Sequence, residues 1–264
     1  MRRKLSLALA MSALLALAVV AIANAASTTL KAGNLVVTFG GSSSPKALPK
    51  NTYAPVTANI FGKIGTTDGT HPSAFREIEV DFDKDVKVNV KGLPVCKGGQ
   101  LEARDTKAAK KVCGSSVLGS GSGQIEIAFP EQRPIPVNAP ITIFNGGEAG
   151  GKITLYIHTF ITVPVPAAVV TTVTVQKKGS GLHTVSKIPV IAGGSGSVLS
   201  FQFKIGKKYT YKGKKVSYLE AKCPDGAFKV SSPKAIFKNE AHIPGVAAAT
   251  TLKGSLAVPC TPKG

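Results

Sequence analysis

Residues 76–85 read Arg76-Glu77-Ile78-Glu79-Val80-Asp81-Phe82-Asp83-Lys84-Asp85. Acids hold every second position, and Ile78, Val80 and Phe82 stand between them. Side chains alternate across a β-strand, so this spacing gives one apolar face and one carboxylate face. The next run, Val86-Lys87-Val88-Asn89-Val90-Lys91, alternates in the same way. Folded about Asp83-Lys84-Asp85, Phe82 faces Val86, Val80 faces Val88 and Ile78 faces Val90. On the other side Asp81 then faces Lys87, Glu79 faces Asn89 and Glu77 faces Lys91, and a slip of one residue would ruin both faces. The expected arrangement is a hairpin with a solvated acidic face, each charged cross-strand pair contributing about 0.2–1 kcal/mol. The competing chemistry is calcium, with Asp81, Asp83 and Asp85 as candidate ligands, because oxygen donors near a turn suit that ion. No glycine permits the sharp turn and no later Glu completes a loop of the familiar calcium type. No metal or other cofactor is therefore expected.

Outward from this strand the same signature recurs. Runs rich in Val, Ile, Thr, Phe and Tyr occupy 34–39, 56–64, 123–129, 141–144, 152–162, 169–176, 188–191, 198–205, 208–211, 215–221, 235–237 and 250–258. Gly, Pro, Ser and Asn clusters separate them, and the stretches GGSSSP, GSSVLGSGSG, FNGGEAGG and AGGSGS read as loops. This spacing predicts an all-β fold of mostly antiparallel, sandwich-like sheets. One short helix is expected within residues 100–112, with Leu101, Ala108 and Val112 near one face. The organisation reads as a leader at 1–25, a β-rich region at 26–166 and a basic β-rich region at 167–264, the last two open to being one continuous domain.

The leader is expected because Arg2, Arg3 and Lys4 precede an apolar run from Leu5 to Ile22, followed by Ala23-Asn24-Ala25. That is the three-part pattern of a secretory signal, with cleavage expected after Ala25. The mature chain is expected to be secreted or envelope-associated in a bacterium, with no later segment spanning a membrane. Cys96, Cys113, Cys223 and Cys260 are an even number in such a chain, so two disulfides are expected. Three pairings are possible, and Cys96–Cys113 with Cys223–Cys260 is favoured because each pair is local in sequence. Each would contribute roughly 3–4 kcal/mol by loop entropy. Zinc is disfavoured: the chain has no CxxC and no His at ligand spacing from a Cys.

Charge is strongly basic, with 33 Lys and Arg against 14 Asp and Glu, net +19. Residues 26–166 carry 15 basic and 11 acidic groups, whereas residues 201–264 carry 12 and 3. A field of that sign favours anionic partners. The stretch around Lys207, Lys208, Tyr209, Tyr211, Lys212, Lys214 and Lys215 is the candidate binding surface, a hairpin turning at Lys212-Gly213 with lysines at its tip and tyrosines beside them. The bland alternative is a lysine-protected edge that resists aggregation. No Trp is present to form a carbohydrate-stacking platform, and no specific nucleic-acid motif is found. His71, His158, His183 and His242 are scattered, without a G-x-S-x-G elbow or an H-E-x-x-H motif, so no catalytic residue is assigned.

The segments HPSAFREIEVDFDKDVKVNVKGLPVC, LEARDTKAAKKVCGSSVLGSG and SYLEAKCPDG, with a late Cys260, resemble a group of exported, cysteine-paired, β-rich proteins of actinobacteria. The resemblance covers most of the mature chain and implies export and the disulfide framework; it implies no activity and no catalytic residue. The expected function is a non-enzymatic binding or structural protein that contacts an anionic envelope polymer. The alternative is an exported hydrolase acting on cell-wall or extracellular polymer.

Overall fold

The computed structural model describes residues 26–130, 132–240, 242 and 248–264; the expected leader at 1–25 lies outside the described residues. In chain order the elements are β1 (Ala26–Ala32), β2 (Leu35–Ser44), β3 (Ala47–Pro49), β4 (Ala54–Pro55), β5 (Thr57–Thr66), β6 (Ala74–Phe82), β7 (Val86–Val88) and α1 (Thr106–Cys113). There follow β8 (Val117–Ile127), β9 (Ile135–Ala149), β10 (Lys152–Ile161), β11 (Ala167–Lys178), β12 (Gly181–Lys187) and β13 (Gly196–Ile205). The last elements are β14 (Lys208–Tyr211), β15 (Lys214–Ser217), β16 (Leu219–Ala221), β17 (Ala227–Lys238), β18 (Ala249–Pro259) and β19 (Thr261–Lys263).

Twelve of these strands form one antiparallel sheet in the order β1-β2-β5-β13-β8-β9-β10-β11-β12-β6-β17-β18. The sheet curls into a near-closed barrel. Its two edge strands meet by packing, with the Leu30 side chain against the backbone of Gly254. Strands from 26–166 and from 167–264 alternate around the wall: β13 lies between β5 and β8, and β6 lies between β12 and β17.

That last placement corrects the hairpin expected for the acidic stretch. β6 pairs β12 and β17 on its two sides, while β7 pairs β16 in a separate three-strand sheet with β4. A strand in the middle of a wall has both edges occupied, so the chain after Asp83 leaves the wall and crosses the barrel end. Lys87 stacks 3.5 Å over the Tyr53 ring instead of facing Asp81. The β4-β16-β7 sheet forms a floor beneath that end, with Val56, Val86, Val88, Tyr218, Leu219 and Ala221 turned to the interior.

Three of the four Gly/Ser-rich stretches read as loops are wall strands: residues 40–44 in β2, 117–123 in β8 and 144–149 in β9. The glycines let neighbours approach closely. A Cβ at Gly121 would stand 1.9 Å from the Gln202 carbonyl oxygen, and one at Gly62 would meet the Phe201 ring at 2.5 Å. Conversely, 188–191, expected as a strand, crosses the upper end toward β13, and β1 and β12 are strands that the residue runs did not mark.

The helix begins later than its expected span. Asp105 caps it by accepting a hydrogen bond from the Ala108 amide at 2.7 Å, so the first helical residue is Thr106. This start sets the phase: Ala109 and Cys113 are buried and Val112 is exposed. Both disulfides have the favoured pairing, Cys96–Cys113 and Cys223–Cys260. The first holds the helix against β9, where the Cys96 amide donates to the Asn145 carbonyl. The second ties the floor to the residue after β18.

Candidate functional site

Alternation around the wall sorts the side chains into two populations. Ile60, Ile78, Val80, Phe82, Ile157, Leu182, Phe201, Phe203, Val230 and Leu256 point inward, yet all remain only half-buried. The outer face carries Lys63, Glu77, Glu79, Asp81, Lys187, Lys204 and Lys253 among its polar groups. Transmembrane barrels have the opposite arrangement, apolar outside and polar within. Here the apolar side is inside. Small barrels of about eight strands fill their interior with side chains, and more strands enclose more space. Twelve strands leave an apolar interior of about 390 Å³ that their side chains do not fill. Small-molecule sites span roughly 300–1,000 Å³ and have mostly apolar walls.

The upper part is packed by two groups. Leu35, Val37, Ile64, Phe75, Ala235, Phe237 and Leu252 form one, with the Phe75 and Phe237 rings stacked at 4.9 Å. Ile125, Ile127, Val137, Ala139, Ile161, Val169 and Ile191 form the other. The crossing segment before β6 is pinned there: Ser197 Oγ donates to the Pro72 carbonyl at 2.6 Å, and His71 Nδ1 lies 2.7 Å from Glu126 Oε1. The open space lies below, between the wall and the floor.

The acidic row is on the outer face of β6, with partners drawn from both neighbouring strands and from β11 beyond β12. Lys234 reaches Glu77 at 2.7 Å and Glu79 at 3.0 Å; Lys178 reaches Asp81 at 2.9 Å; His183 Nδ1 reaches Asp81 at 2.6 Å. Burial alone would raise the Asp81 pKa, but hydrogen bonds from His183 and Lys178 outweigh it and hold the carboxyl below its ordinary value. The calcium candidates are engaged separately. Asp83 accepts from the Asp85 amide at 2.6 Å and the Lys229 amide at 3.2 Å, and buried Asp85 pairs with Lys222 at 3.3 Å. Among the described residues no group of acids, His and Cys is arranged to hold a metal ion.

The lysine hairpin forms as β14 and β15, turning at Lys212 and Gly213, both with positive φ. That is the mirror-image turn whose twist suits a two-residue hairpin. Lys208, Lys212, Lys214 and Lys215 are exposed. Lys207 stands apart from them, donating to the Ser115 carbonyl, and burial lowers its pKa. The tyrosines fasten the hairpin to the protein. Tyr209 donates to the Lys91 carbonyl at 2.9 Å, and the Tyr211 ring covers Gly92, which has φ +78.

Three of the four histidines have carboxylate or carbonyl partners. His183 joins Asp81, His71 joins Glu126, and His158 is buried beneath α1 with Nε2 2.9 Å from the Arg104 carbonyl. His242 is exposed. The interior residues Tyr218, Leu155, Val173 and Phe203 were not singled out from the sequence, although the inward alternation of Ile78, Val80 and Phe82 was the local sign of such a face. The chain matches no protein-family model, no curated protein and no solved structure.

Proposed function

We propose that the protein is an exported, non-enzymatic binding protein that holds an apolar small molecule inside its barrel. One observation carries this reading: inward apolar side chains from the wall and floor surround about 390 Å³ that they do not fill. Burying an apolar molecule there removes both its surface and the lining from water, at about 25 cal/mol per Å². Export rests on the leader pattern and the resemblance to exported actinobacterial proteins, and two disulfides suit an oxidising compartment. The exposed Lys208, Lys212, Lys214 and Lys215 are the surface by which the same protein contacts an anionic envelope polymer.

Titration of the mature chain with the neutral fluorophore N-phenyl-1-naphthylamine tests the interior. Saturable fluorescence enhancement is expected, and it should be lost in a Val173→Trp variant that circular dichroism shows to be folded, because a large side chain then occupies the space. Absence of saturable binding by the folded mature chain rejects the carrier reading.

A further inference from the structure

The chemistry of the lining limits what can enter. Among the described residues no Lys, Arg, His, Asp or Glu faces the barrel space. The polar groups there are neutral, and three hydroxyls stand out. Ser43 Oγ on β2 and Ser232 Oγ on β17 are buried without a hydrogen-bond partner. Tyr218 on the floor is 2% exposed and lines the same space. Burial drives the Tyr218 pKa above its ordinary value, so it remains a neutral donor and acceptor.

Their positions follow from register. Ser43 stands opposite Ala58, and Ala58 opposite Ile205. The Tyr218 amide donates to the carbonyl of Lys207, two residues beyond Ile205. Ser43 and Tyr218 therefore belong to the lower end, on the β2-β5-β13 side. Ser232 stands opposite Gly254, beside the meeting of β18 and β1. A serine hydroxyl reorients by rotation about χ1, so each can turn to an oxygen brought in by a ligand.

We infer that the barrel takes an uncharged amphiphile, a long apolar body bearing a hydroxyl or carbonyl group, whose oxygen is bound by one of the neutral hydroxyls lining the space, Tyr218 or Ser43 at the lower end or Ser232 beside the meeting of β18 and β1. This rests on the reading of the barrel as an apolar-ligand carrier and narrows the ligand class. An ionised head would have to lose its water without gaining a counter-charge, which strongly disfavours it. A neutral oxygen gains a hydrogen bond and relieves buried hydroxyls of an unmet one.

Competition against bound N-phenyl-1-naphthylamine at pH 8, using dodecane, 1-dodecanol and dodecanoate, separates the possibilities. The alcohol is expected to compete about two- to tenfold better than the alkane for each hydrogen bond made. Dodecanoate, ionised at that pH, should be weaker than the alcohol by about a hundredfold or more. At least one of Tyr218→Phe, Ser43→Ala and Ser232→Ala should move the alcohol toward the alkane while leaving the alkane unchanged. If Tyr218→Phe does not fold, the two serine variants carry the comparison. Dodecanoate binding as tightly as the alcohol, or an alcohol-to-alkane ratio unmoved by the substitutions that fold, overturns the inference while leaving the carrier reading in place. Failure of the fluorophore to bind at all removes the carrier reading, and the inference with it.

Discussion

His158 shows how one buried side chain gives the molecule a pH response. Burial pushes its imidazole pKa down, while the hydrogen bond to the Arg104 carbonyl and the nearby Asp105 push it up by less. The folded value lies below the unfolded one of about 6.5. The unfolded chain therefore binds the proton first, and the contribution of neutral His158 is present above that pH and lost as pH falls through the folded value. Amide-exchange protection of α1 should fall over that range, and His158→Gln should flatten the response. Gly121 is a second decisive position, because β8 and β13 approach too closely there for a side chain. Gly121→Ala should cost about 1–3 kcal/mol in urea unfolding, the usual penalty for overpacking. An unchanged midpoint would mean that the two strands separate freely.

At the level of elements, β6 and the two disulfides divide the work. β6 is held on both edges, and its outer carboxylates gather lysine and histidine partners from β11, β12 and β17. Because the Asp81 pKa is lowered in the fold, its contribution is present above the unfolded value of about 3.9 and disappears as pH falls through the folded one. Asp81→Asn should therefore remove part of the acid-side loss of stability seen in a pH series of thermal melts. The disulfides close loops with sequence separations of 17 and 37 residues. Loop entropy assigns them roughly 3 and 4 kcal/mol. Replacing Cys96 and Cys113 by Ser should loosen the helix and leave fluorophore binding intact. Replacing Cys223 and Cys260 should release the floor and reduce that binding as well, which a single titration of each variant decides.

For the whole molecule, interior and surface are separate devices. The apolar space is lined by the wall and the β4-β16-β7 floor, whereas the β14-β15 lysines stand outside it. Substituting Lys208, Lys212, Lys214 and Lys215 by Gln should flatten the salt dependence of co-sedimentation with isolated cell walls and leave fluorophore affinity unchanged. Equal sedimentation of wild type and variant across the salt series would remove the surface role alone.

The alternating pattern at 76–82 was enough to mark β6 and both its faces, because period-two alternation is a local property. Cysteine spacing likewise identified both disulfides, and Lys212-Gly213 identified the hairpin turn, since Gly213 takes a positive φ without steric cost. Which strands β6 would join was not local. Two good edges admit several neighbours, and the chain found β12 and β17 about a hundred residues or more downstream instead of the adjacent Val86–Val88 run. The glycines of β2, β8 and β9 looked like loop signals because their use, close approach to a strand distant in sequence, exists only once that strand arrives. The interior followed the same rule. Sequence alone determined that the strands have an apolar face; only the closing of twelve of them into one wall decided that those faces surround a space too wide for their own side chains to fill.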